Sequence, residues 1–146
     1  ESFLSCIERD VKLLELGYPP RPVTRQNHDK MYNAFFGEIT EMSRRGICDN
    51  VRVFVRGQDI NQPVLVYSKG STNYPTAQEA VTSERQKQRR RIMQNSEKYL
   101  QRIMLARQKI ESLVQDEEMR KDYLERLNNL EKEFLQELSL NREIDD

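Results

Sequence analysis

The sequence predicts an α+β protein: a small helical head with a β-hairpin, ordered α-α-β-β, followed by a long helix of coiled-coil character. Three observations carry that expectation. Apolar residues recur in steps of three and four over 2–16 and 28–45. Between 51 and 67 the period changes to alternation, as in a strand. From 83 to 140 no Gly or Pro interrupts a helical pattern. A boundary near residue 74 separates the expected head, 1–74, from the expected stalk, 75–146.

Helix 1 is expected over about 2–16. Phe3, Leu4, Ile7, Val11 and Leu14 fall on one stripe, with Leu13 and Leu16 beside it. Gly17 ends it, and Tyr18-Pro19-Pro20-Arg21-Pro22 forbids continuation. That short link reads as a rigid connection rather than a ligand for an SH3-like groove. Helix 2 is expected over about 28–45, with Asn27 as N-cap and Asp29 in the first turn. Its expected inner face is Met31, Ala34, Phe35, Ile39 and Met42, flanked by Phe36, and Gly46 stops it. Val51, Val53 and Val55 then alternate with Arg52, Phe54 and Arg56. Turn residues follow over 57–63, and Val64-Leu65-Val66-Tyr67 closes a hairpin. A lone hairpin is marginal, so it is expected to pack on helices 1 and 2. Helices followed by a two-stranded wing are also the order of a winged-helix domain.

The stalk opens on two capping signals. Thr76 stands three residues before Glu79, and Ser83-Glu84-Arg85-Gln86 repeats the pattern. A continuous helix from there to Asn141 would span roughly 90 Å at 1.5 Å per residue. A 4-3 spacing runs through Ile92, Ser96, Tyr99, Ile103, Ala106, Ile110, Leu113, Glu117, Arg120, Leu124, Leu127, Glu131, Phe134 and Leu138. Its apolar members Tyr99, Ile103, Ala106, Ile110, Leu113, Leu124, Leu127, Phe134 and Leu138 are the expected helix–helix interface. Met93, Leu100, Met104, Val114, Tyr123 and Leu130 widen the stripe, which favours a bundle over a bare zipper. The seam fails at Glu117 and Arg120.

Charge orders this stalk. The chain is neutral, with 24 basic and 24 acidic residues. Residues 83–109 nevertheless hold nine basic and two acidic residues, and 110–146 hold five basic and twelve acidic. Parallel self-pairing would superpose like charges, so an antiparallel arrangement is expected, between chains or by a turn near Gln115-Asp116-Glu117-Glu118.

Composition excludes several classes. Charged residues make up 33% of the chain, against a usual share of about 25%. No apolar run approaches the length of a membrane span. His28 is the only His, Cys6 and Cys48 form no close pair, and no glycine-rich phosphate loop is present. No enzyme, cofactor, metal site or small-molecule substrate is therefore expected. Cys6 reads as a buried free thiol. The first residues lack the basic start and apolar stretch of a signal peptide, so a cytoplasmic or nuclear location is expected. Opening on Glu rather than Met, the chain reads as an excised piece of a longer protein.

The leading expectation is a structural or scaffold subunit of a cytoskeletal, centrosomal, kinetochore or chromatin assembly. Its head would dock proteins, and its stalk would pair with itself or with other helical proteins. The alternative is a nucleic-acid-associated factor using a winged-helix-like head and the basic run Arg85, Lys87, Arg89, Arg90 and Arg91. That run resembles the basic region of a leucine-zipper factor but lacks its usual Asn and Arg pattern. The chain's neutrality and the acidic far stalk weigh against it, so nucleic acid ranks second.

Overall fold

The computed structural model describes residues 2–47, 50–56, 63–70 and 73–145. The protein is mostly helical, with one two-stranded hairpin. The elements are α1 (Ser2–Glu15), α2 (Arg25–Arg44), β1 (Arg52–Arg56), β2 (Pro63–Ser68), α3 (Ala77–Gln94), α4 (Ser96–Leu113) and α5 (Glu117–Asp145). The broad α+β description fits. Of the expected turn over 57–63, residues 57–62 lie outside the described residues, as does Cys48, and Pro63 opens β2.

The expected continuous stalk is instead three helices. Asn95, with φ −115° and ψ 43°, separates α3 from α4. Its N–H donates to the Ile92 carbonyl at 3.2 Å, three residues back, which tightens the turn. The second break is sharper. Val114 turns extended at ψ 107°. Asp116 Oδ1 accepts the Met119 N–H at 2.7 Å and so caps α5, whose first turn carries Glu117 and Glu118. A chain without Gly or Pro can therefore still stop a helix, because an N-capping Asp starts the next one.

By its contacts the chain divides into two compact units, one of residues 1–28 with 92–146 and one of residues 29–91. The first unit joins the first helix to the last two.

The first unit is a three-helix bundle of α1, α4 and α5. Phe3, Leu4, Ile7 and Val11 of α1 share one core with Tyr99, Ile103, Ala106 and Ile110 of α4 and Tyr123, Leu127, Leu130 and Phe134 of α5. Glu8 pairs with Arg102 and Glu15 with Lys109, a constant offset, so α1 and α4 run parallel. Arg107 reaches Asn128 and Glu131, and the Tyr99 ring meets Phe134, so α5 runs back along α4. Gly17, at φ +76°, ends α1 in a left-handed turn. The N–H groups of Gly17 and Tyr18 return to the carbonyls of Leu14 and Leu13.

The second unit has a smaller core of Val53, Tyr67, Ala77 and Ala80, with Ile39, Val51, Val66, Tyr74 and Val81 packed around it. β1 and β2 pair antiparallel, and the register slips past Val66 between Val53 and Phe54, a β-bulge. The hairpin packs on the start of α3 and on Ile39 of α2. Helix 1 contributes its apolar stripe to the bundle.

Two further expectations for α2 are corrected. Thr24, not Asn27, is the N-cap: its Oγ1 accepts the Asn27 N–H at 3.2 Å, so the helix starts three residues early. Its expected inner face is not an inner face, since Ala34 and the large side chains Met31, Phe35 and Met42 are exposed. Gly46, at φ +66°, stops the helix as expected, with the Ile47 N–H bonded to the Met42 carbonyl.

Candidate interaction surfaces

The expected helix–helix residues come together, but within one chain. Tyr99, Ile103, Ala106, Ile110, Leu127 and Phe134 are buried in the bundle core, and Leu113, Leu124 and Leu138 pack against it. Val114, Tyr123 and Leu130, which widened the stripe, are buried with them. The widening marks two neighbours for each helix instead of one.

Charge also finds its partners internally. Arg102 grips Glu8 with two hydrogen bonds of 2.8 Å, a forked pairing that fixes register as well as distance. Lys109 Nζ lies 2.6 Å from Glu15. Two basic residues of α4 are therefore matched by α1, and Arg107 is matched by α5. The charge reasoning recovers the antiparallel α4–α5 pair but misses α1 as a second acidic partner.

Asp10 is a buried polar residue of the bundle that sequence reasoning missed. It is fully buried in α1 and accepts the Tyr123 hydroxyl at 2.8 Å. Its other oxygen accepts Arg9 Nη2 at 3.0 Å and the Arg21 N–H at 3.3 Å. Arg9 also donates to the Arg21 carbonyl, and Arg126 of α5 donates to the Val23 carbonyl at 2.6 Å. These bonds staple the proline-rich link to α1 and α5, so it acts as a fixed connection. Burial, and then the bond to Asp10, push the Tyr123 phenol well above the ordinary tyrosine range. Asp10 stands three residues after Ile7 and one before Val11, which places it at the edge of the apolar stripe; that position was the available signal.

His28 shares a 3.0 Å hydrogen bond with Ser2 Oγ and stands edge-on to Phe3, a local tie between α2 and α1. Cys6 is a half-buried free thiol rather than a fully buried one.

The basic run lies on α3 within the second unit. Arg85 stacks over the Tyr32 ring at 3.9 Å and donates to the Tyr32 hydroxyl at 3.1 Å. Lys87 donates to Glu84 at 2.8 Å and to the Tyr74 hydroxyl at 3.1 Å. Hydrogen bonding from Lys87 holds the Glu84 carboxyl below its ordinary range, despite burial acting the other way. Arg89, Arg90 and Arg91 are exposed. Beside this run α2 exposes Met31 (73%), Phe35 (58%) and Met42 (39%). These positions are four and eleven residues apart and fall within a narrow arc of the helix. Phe54 and its cross-strand partner Leu65 are exposed on the hairpin.

No protein-family model matches the chain, and no curated protein or solved structure shows significant similarity to it. Among the described residues no helix is long and apolar enough to cross a membrane.

Proposed function

We propose that this chain is a non-enzymatic structural subunit of a multiprotein assembly in the cytoplasm or nucleus. The bundle serves as a stable body, and the unit of residues 29–91 docks a partner protein. One observation supports this reading above the others. The apolar stripe of α2 is exposed, while the stripe expected to oligomerise is filled from within the chain. Burying one such Phe or Met side chain is worth about 1.5–3 kcal/mol, so three in line are a ready source of binding energy.

The test places a photo-crosslinking residue at Phe35, and separately at Leu105, an exposed bundle position. Irradiation in cells is expected to give a discrete protein adduct from position 35 and none from 105. Equal crosslinking from both, or none from 35, contradicts the docking role. A second reading, association with nucleic acid, is favoured by the exposed Arg89, Arg90 and Arg91 on α3.

A further inference from the structure

We infer that the link Tyr18-Pro19-Pro20-Arg21-Pro22 is a docking ligand for a partner domain that reads polyproline II helix. That domain has an aromatic-walled groove with a carboxylate beside it, as an SH3 domain does. The inference rests on the first unit alone and is independent of the α2 stripe. Residues 18–24 form neither helix nor strand, and their peptide bonds are trans. Pro19, Pro20 and Pro22 hold φ at about −65°. Tyr18, Pro19 and Arg21 each precede a proline, whose ring drives them to extended backbone. A chain so restrained repeats every three residues.

Exposure follows that period. Pro20 and Val23 are half-buried, and the Val23 carbonyl accepts Arg126 of α5 at 2.6 Å. Pro19 and Pro22 are exposed along a second edge, about 9 Å apart at 3.1 Å per residue. Tyr18 and Arg21 are exposed along the third. One edge is thus held by the protein, and two are left for a partner. The two X-Pro pairs of the link, Tyr18-Pro19 and Arg21-Pro22, carry the PxxP spacing that aromatic-lined grooves accept.

The link is also preformed. Asp10 accepts the Arg21 N–H at 3.3 Å, and Arg9 donates to the Arg21 carbonyl at 2.9 Å. The rigidity that makes it a fixed connection suits it to recognition, because a segment already held extended loses little freedom on binding. Charge places the carboxylate of the groove. Arg9 and Arg25 are paired with Asp10 and Glu133, whereas Arg21 stands exposed between Pro19 and Pro22. A carboxylate on the groove wall complements it.

The test titrates the full chain, labelled with nitrogen-15, against a panel of purified SH3 domains with acidic or neutral groove walls. The acidic members are expected to bind with Kd below about 100 μM. The amide signals of Tyr18, Arg21 and Val23 should shift most. Pro19→Ala with Pro22→Ala weakens binding at least about tenfold, whereas Pro20→Ala, on the half-buried edge, changes it less than about threefold. Arg21→Glu weakens it at least about fivefold and flattens its salt dependence. An unchanged thermal transition checks that each variant is folded. Tyr18→Ala, at a position 60% exposed, gives a loss of at least about fivefold that does not depend on the prolines.

No binding by any member of the panel overturns the inference, as does binding by neutral-walled domains alone. Full affinity in both the Pro19→Ala, Pro22→Ala variant and the Tyr18→Ala variant overturns it too. An equal loss from Pro20→Ala and from the paired variant contradicts the period-three presentation on which it stands.

Discussion

Among the described residues, the bundle of α1, α4 and α5 closes on thirteen buried apolar side chains, whereas the unit of residues 29–91 closes on four. Both contain helices with an apolar stripe of helical period. In the bundle each stripe meets two others, and Glu8, Asp10 and Glu15 of α1 are paired across helices with Arg102, Tyr123 and Lys109. In the second unit Ile39 of the α2 stripe packs against the core, whereas Met31, Phe35 and Met42 are exposed. The contrast separates a part of the molecule that supplies its own stability from a part that keeps apolar surface available.

Substitutions sharpen this contrast. The largest effect is expected for Ile103→Asp with Ile110→Asp, which places two carboxylates at fully buried positions without partners. The bundle should lose its cooperative unfolding transition, read by far-ultraviolet circular dichroism. Ile103→Ala alone should cost about 2–5 kcal/mol in denaturant unfolding, because the site is closed on all sides.

Tyr123→Phe comes next, at about 1.5–3 kcal/mol, the range for a buried hydrogen bond to a charged group. It also carries a pH signature. The Tyr123 phenol is raised in the folded state, so its contribution is fully present below the unfolded value near pH 10 and is lost as pH rises further. Wild-type stability should therefore fall above about pH 10, and Tyr123→Phe should lose that part of the alkaline slope. An equal slope in both proteins would remove the Asp10–Tyr123 pair from the account of bundle stability. The smallest effect is expected for Met31→Ala, within about 0.5 kcal/mol, because the side chain is already in solvent. A cost as large as that of Ile103→Ala would mean that the stripe is covered within the chain.

Much of this was legible in the sequence. Gly17, Gly46, the alternation of Val51, Val53 and Val55, and the spacing from Tyr99 to Leu138 marked real helix ends, a real hairpin and a real core. The partners were not legible. Periodicity reports that a helix face is apolar, not what covers it, so the stripe of α1 was assigned to the hairpin when it belongs with α4 and α5. The break at Val114–Asp116 was only half visible, because helix termination was sought in Gly and Pro while the signal was an N-capping Asp116. The exposed stripe of α2 could not be separated from a core stripe, since both obey the same spacing. Asp10 was missed because a buried carboxylate is recognised by donors far away in sequence, here Tyr123 and the Arg21 N–H.

The central contention is that the 4-3 seam closes inside one chain and leaves α2 as the available apolar surface. Light scattering on the chain eluting from a sizing column, over a hundredfold range of loading (on the order of micromolar and above), tests it most directly. A constant mass of 17.4 kDa is expected, with the helical signal unchanged by dilution. A doubled mass that returns to 17.4 kDa in the Ile103→Asp, Ile110→Asp variant, with helicity retained, would show a seam shared between chains and contradict the fold-back.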